Sequence, residues 1–430
     1  EPILNPVFYI YTKYFIVPSK ALLNESILYM NKSLLIDRII VLLFYISIIL
    51  SLFYSSLLVS SDIIGGAAPQ FPVFLLLLPF VISVLQICRL LLFSCSNFNT
   101  IGVIWVCLFF YLVLHLVIDS MLNMGEIKYL DYFHSVCLPV SWIYFSSIGR
   151  NNFIFSFINK YYYLFFYILS IVCLYYIPQS ALSGRFASLN SGYYVLFAYP
   201  LILINASNIQ KVVSTILLIV VVLLSMKRGG ILAIALGFSL YYLVSIIKSS
   251  SGKKKVKVIF VFMGLCILMY FLVPIIDDFS GNTLSLRLMS TVDNNGDESR
   301  GEMYQDVLHA FFYDSNIFEY FYGHGHSAVV ADNICYGLSA HNDYLEFLYD
   351  FGFIGFLFLI SFHIQLYKIV RICVYNNVYV LPVISCMVSI IILSLLSHVC
   401  YYIYFYSTIP FWIYINNLNK SNENRNTYIS

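Results

Sequence analysis

The residues best equipped for chemistry are six cations and one imidazole. Lys128, Arg185, Lys227, Arg228, Arg287 and Arg300 fall on one side of a chain dominated by long apolar stretches, and the remaining 17 of its 23 Lys and Arg fall on the other. Translocated loops normally avoid such residues. An anionic substrate outside the membrane is the simplest reason for the six. An Arg offers a rigid fork of donors that matches phosphate oxygens two at a time. His341, in Ser339-Ala340-His341-Asn342-Asp343-Tyr344, can accept a proton near neutral pH.

Each of these residues also has a plainer reading. Arg185, in the loop from Ser183 to Asn190, is either an anion ligand or an ordinary surface or headgroup-anchoring Arg. Lys227-Arg228-Gly229-Gly230 is either a hairpin touching lipid phosphates or a cationic floor under an anionic ligand. In the second case its glycines would let the backbone approach the ligand. Arg300 opens an expected helix, where a cation opposes the macrodipole. A stabilising role there is therefore disfavoured, and guanidinium plus helix N-terminus would make an anion site. Arg287 reads first as solvated surface. A lone His such as His341 is more often structural, but its place where a polar loop meets the membrane favours function. His324-Gly325-His326, with Asp332 and Asp343, matches no strong metal template, and a tight turn is the preferred reading.

Such residues need a scaffold, and composition names its class. Apolar residues make up 61% of the chain, charged residues 10%, and the mean hydropathy is +0.86. Soluble domains carry roughly 25% charged residues. The expectation is an all-α integral membrane protein. Spans fall near 39–60, 72–93, 101–119, 132–148, 161–177, 193–206, 211–226, 229–247, 257–276, 346–367, 379–398 and 401–416. Each is apolar enough to cross most or all of ~30 Å of hydrocarbon. The basic run Lys253, Lys254, Lys255, Lys257 orients spans eight and nine, and both termini are then cytoplasmic. The net charge of +2 is sorted by topology, so nucleic acid is not expected as a partner. The ten cysteines lie mostly in spans, with Cys335 in a polar loop, and form neither a zinc pattern nor a disulfide framework.

The expected organisation is a cytoplasmic or interfacial segment 1–38, spans one to nine over 39–276, an extracytoplasmic loop 277–345, spans ten to twelve over 346–416, and a cytoplasmic tail 417–430. The first 38 residues lack the layout of a cleavable signal peptide, and Pro6 to Val17 reads as interfacial. The segment Asp277 to Asp343 holds eleven of the 21 acidic residues and four of the eight histidines. Loops this long are usually functional or disordered. Helix signals inside it favour function. Ser299 to Glu302 has capping-box spacing ahead of an amphipathic helix over 300–313, and a second helix starts at Asp343.

The order of these pieces resembles a known superfamily. Arg300-Gly301-Glu302, Gly323-His324-Gly325, Ala340-His341-Asn342-Asp343-Tyr344-Leu345-Glu346 and Gly352-Phe353-Ile354-Gly355 look like the signature of the O-antigen ligases and O-antigen polymerases. Lys227-Arg228-Gly229-Gly230 resembles that family's Ser-Arg-Gly hairpin with Lys in place of Ser, and Arg185 resembles the Arg between its spans five and six. The resemblance covers roughly 180–360 well and the remainder in topology.

It implies a glycosyltransferase of the C-type membrane fold in the bacterial inner membrane. Such an enzyme draws on undecaprenyl diphosphate-linked oligosaccharide at the periplasmic face for lipopolysaccharide biosynthesis. No metal and no cofactor are implied. Carried over, Arg185, Arg228 and Arg300 bind the diphosphate, with Lys227, Arg287 and Asn342 beside the substrate, and His341 acts with Arg300 in catalysis. Membrane lipid is the other expected partner, and a chain-length regulator protein is a further one the sequence does not identify. A polymerase is preferred over a ligase because the hairpin Ser is absent. A flippase is the competing class, but Arg and Lys are nearly absent from span interiors, where a translocation path would place them, and Asp119 lies at a span end.

Overall fold

The computed structural model describes residues 33–53, 74–92, 100–122, 129–148, 152–182, 190–225, 227–249, 251–279, 298–397, 399 and 403–427. Among these there is no strand, only an isolated bridge between Cys335 and Leu338. The helices are α1 (Ser33–Phe53), α2 (Phe74–Leu92), α3 (Thr100–Leu122), α4 (Tyr129–Ile148), α5 (Asn152–Leu182), α6 (Ser191–Asn205), α7 (Asn208–Leu224), α8 (Arg228–Lys248) and α9 (Gly252–Phe279). The loop contributes α10 (Glu298–His309), which passes into a π turn over Ala310–Asp314, then α11 (Ile317–Tyr322) and α12 (Ala328–Ala331). The chain closes with α13 (Asp343–Asn376), α14 (Val380–Leu396), a 3-10 turn over Ile403–Thr408 and α15 (Ile409–Thr427). Among the described residues five helices are long and apolar enough to cross a bilayer, and shorter apolar helices accompany them. This is an all-α integral membrane protein.

Helix ends differ from the hydropathy windows for physical reasons. α1 begins at Ser33, inside the segment 1–38 assigned to the N-terminal region. Asp37 can lie within it, fully buried, because Arg89 of α2 grips both its oxygens at 2.8 Å and Tyr144 of α4 donates at 2.9 Å. α9 includes Lys253, Lys254, Lys255 and Lys257, since Lys is a good helix former and hydropathy marks only the part of a helix that suits lipid. α15 likewise runs on to Thr427, through most of the expected tail, and the start of the twelfth window is a 3-10 turn instead of α-helix. Tyr129 to Ile148 and Asn152 to Leu182 also extend past their windows.

Aromatic rings and small residues set the packing. Trp105 of α3 stacks on Trp142 of α4 at 5.2 Å, and Phe362 of α13 meets both edge-on. α8 lies closest to α14. A Cβ added at Gly237 would sit 3.3 Å from the Ser385 backbone, and one at Gly229 would sit 3.1 Å from Leu393. Without a hydrophobic drive between helices in lipid, such small residues are what permit close backbone approach. Gly229 and Gly230 pack against Leu393, Val222 and Tyr193, where a side chain would crowd these neighbours.

Candidate active site at the end of α14

The last carbonyls of α14 and the residues after it gather side chains from four other elements. Arg300, in the first turn of α10, donates from Nη1 to the Leu396 carbonyl at 3.3 Å, and Tyr304, one turn on, donates to the Leu395 carbonyl at 2.9 Å. A helix C-terminus leaves carbonyls unpaired and carries partial negative charge, so a guanidinium suits it. Tyr193, at the start of α6, shares a hydrogen bond with Ser397 and stands within electrostatic reach of Arg300. Its hydroxyl lies 3.2 Å from where a Gly229 Cβ would be, which brings the Lys227-Arg228 turn to the same place. Asp343, the first residue of α13, is fully buried and accepts the Val399 amide at 2.9 and 3.1 Å.

His341 lies two residues before Asp343, half-buried, with φ at +52°. That left-handed backbone is uncommon for a residue with a Cβ and recurs at functional positions. Asn342 follows as the N-cap of α13. Its side-chain oxygen accepts from the Tyr344 and Leu345 amides at 3.0 and 3.2 Å. The residue expected beside the substrate thus has its carbonyl committed to the helix start. Ser299 is not the cap expected there, because α10 begins at Glu298, two residues before the expected start at 300.

Arg300, the helix start that follows Lys227, and Asp343, two residues after His341, thus all lie at the end of α14 or against Val399. Tyr193, Leu396, Ser397 and Val399, which no sequence signal had singled out, join them. Arg185, Arg287 and Lys128 lie outside the described residues, as does the segment Pro6 to Val17. Residues in the first turns of α6, α8, α10 and α13 thus meet at the end of α14 or the residues just after it.

A second cluster seats the loop beneath this region. Gly323 and Gly325 have φ of +95° and +105°, and α13 breaks at Gly352, with φ +61° and ψ −167°. The two glycine motifs press together. A Cβ at Gly323 would fall 2.3 Å from the Asp350 carbonyl, and one at Gly352 would fall 2.6 Å from the Gly323 amide. The His324 and Gly325 amides donate to the Tyr349 and Asp350 carbonyls at 3.0 Å, closing the turn onto α13. The two imidazoles part company. His324 stacks on Tyr349 and meets Ser315, whereas His326 meets Ser135 at 2.7 Å and Ser327 at 2.9 Å. The Asp350 carboxylate accepts the Ser327 and Val329 amides, and Asp332 accepts from the Tyr349 hydroxyl. Asp119 is fully buried, taking the Tyr322 hydroxyl at 3.1 Å, so this acid at a span end anchors the loop.

No curated protein matches the chain. Residues 213–360 match the family model described as O-Antigen ligase, a stretch that contains the Lys227 turn, Arg300, both glycine motifs and His341. That match covers part of the chain and supports its placement in the O-antigen ligase and polymerase superfamily.

Proposed function

We propose that the protein is an O-antigen polymerase. It moves a glycan from undecaprenyl diphosphate onto another lipid-linked repeat unit, at the periplasmic face of the bacterial inner membrane and, as the resemblance implies, without metal. The observation that supports this most is the meeting of Arg300, the Lys227-Arg228 turn and the His341 segment around the end of α14.

The bond to be broken joins a sugar anomeric carbon to diphosphate, whose charge grows as the bond lengthens. Guanidinium groups and helix N-termini fixed in advance stabilise that charge without reorganising. Arg228 and Arg300 take this role, with Lys227 beside them and Arg185 and Arg287 supplied by loops. The acceptor hydroxyl is a poor nucleophile until its proton is removed. His341 removes it from the face opposite the leaving group, and the configuration inverts. Replacing His341 with Ala should abolish chain lengthening while the protein still accumulates in the membrane. A normal glycan ladder from His341→Ala would overturn the assignment.

The matched family's description favours one other reading, a ligase acting on lipid A core. A strain lacking the gene separates the two. A single repeat unit on the core marks a lost polymerase, and core without glycan marks a lost ligase. An unchanged ladder rejects both. The flippase reading finds no support in Asp119, which lies at a span end and accepts the Tyr322 hydroxyl.

A further inference from the structure

The loop does not rest on top of the helix bundle. Three side chains in the body of α3 hold it. Tyr111 donates to the Phe351 carbonyl at 2.7 Å and lies 3.2 Å from the Tyr322 carbonyl. His115 bonds the Tyr322 carbonyl at 2.7 Å, and the Tyr322 hydroxyl returns a bond to the His115 carbonyl at 3.1 Å. Asp119 accepts the Tyr322 hydroxyl and lies 3.4 Å from the His326 amide. α3 ends at Leu122, so at 1.5 Å per residue His115 lies ~10 Å and Tyr111 ~16 Å below that end. α13 agrees from the other direction. Its unbroken part runs from Phe353 down to Asn376, with Lys368 about 22 Å below Phe353 by the same rise. Both helices put Tyr322, Gly323 and Phe351 within the ~30 Å hydrocarbon thickness.

Irregular backbone at that depth survives only where protein satisfies its polar groups. Tyr111, His115 and Asp119 do this for the turn after α11, which accounts for three polar side chains at four-residue spacing on a largely apolar helix. The outer face of the same segment is apolar and open. Ile317 is 81% exposed, Phe321 57% and Phe318 47%. The π turn adds Phe312 and Tyr313. This patch continues directly into side chains on spans. Phe321 backbone touches Gly352, and beyond it Phe353, Ile354 and Leu357 of α13 are exposed, as are Phe110, Leu114 and Val117 of α3.

We infer that α11 forms a re-entrant element embedded in the lipid leaflet on the loop side, with acyl chains covering Ile317, Phe318 and Phe321. The occupant is lipid because the patch lies at the depth of, and joins, the lipid-facing surfaces of α3 and α13. The polar end of α11 is closed on itself. Asn316 and Glu319 form a reciprocal capping box, with Glu319 3.6 Å from His324, so α11 itself brings no bare charge to the chains, whereas the exposed Asp314 keeps the preceding π turn at the polar edge of the patch.

Tryptophan depth measurements test this. The three native tryptophans, Trp105, Trp142 and Trp412, are buried and give a low background to lipid quenchers. Ile317→Trp and Phe321→Trp, each in the full chain reconstituted into phosphatidylcholine vesicles, should add blue-shifted emission quenched by acyl-brominated phosphatidylcholine and not by aqueous iodide. Glu302→Trp, at an exposed position on α10, should behave oppositely. Iodide quenching at 317 and 321 equal to that at 302 would overturn the inference. So would protection from both quenchers, which would mean a protein cover.

Discussion

Asp343 receives the Val399 amide on both carboxylate oxygens, at 2.9 and 3.1 Å, with no exposure to solvent. The bond joins two short stretches of backbone. One carries His341 two residues upstream, and the other carries Leu396 and Ser397, where Arg300 and Tyr193 converge. Asp343 is thus a positioning residue between the proposed base and the proposed diphosphate site. Asp343→Ala leaves the Val399 amide buried without this acceptor, at a cost of ~1–3 kcal/mol. Asp343→Asn keeps a side-chain oxygen and should retain more of both stability and chain lengthening. Thermal midpoints in detergent and glycan ladder profiles check the order wild type, Asn, Ala. Equal behaviour of the two variants would refute it.

Arg300 has a structural bond to Leu396 and a proposed catalytic duty, and the two can be separated. Arg300→Ala should slow glycan transfer by ~10²–10³-fold, the usual loss for one preorganised donor at a developing charge. Arg300→Lys retains the charge but not the planar fork, and should fall between. Tyr304→Phe removes the neighbouring bond to the Leu395 carbonyl and leaves the guanidinium in place. Its transfer rate should stay within a few-fold of wild type. If Tyr304→Phe is as slow as Arg300→Ala, the arginine acts only through the end of α14.

The sequence made the all-α membrane class legible because hydropathy is a local property. It also placed a helix start at Asp343 and a helix near 300–313, where capping residues and apolar spacing agree. It could not show that Gly229 and Gly230 pack against other helices, since a glycine needed there is indistinguishable in sequence from one needed for a ligand. The Val399 amide gave no signal, because its partner lies 56 residues away and backbone carries no side-chain type. The pair His115 and Asp119, four apart inside an apolar span, was a readable sign of something held at depth. Only the fold shows that the thing held is the glycine turn.

That turn gives a third prediction. Ala at Gly323 would place Cβ 2.3 Å from the Asp350 carbonyl with φ at +95°, and Ala at Gly352 would place it 2.6 Å from the Gly323 amide with φ at +61°. Backbone strain of this kind costs ~1–3 kcal/mol per residue before the clash is counted. Each single variant should lower the thermal midpoint and open residues 315–327 to protease. The double variant should lose less than the sum, because both replacements break one contact. Full additivity would mean that the two glycines act separately.

His326 supplies the pH dependence. Burial pushes its imidazole down to about 4 from the ordinary 6.5; nearby Asp119 opposes that shift and His115 reinforces it. The seated turn therefore prefers neutral His326, in contact with Ser135 and Ser327. A released turn would bind the proton more tightly, so acid favours release. The contribution of His326 to stability is complete above about pH 6.5, falls as pH drops towards 4, and is level below that. Wild type should lose thermal stability between pH 7 and 4.5 more steeply than His326→Gln, which has no imidazole to charge. His309→Gln, at an exposed position on the same loop, should keep the wild-type slope. Parallel slopes for wild type and His326→Gln would show that protonation of this imidazole does not govern the seating of the loop.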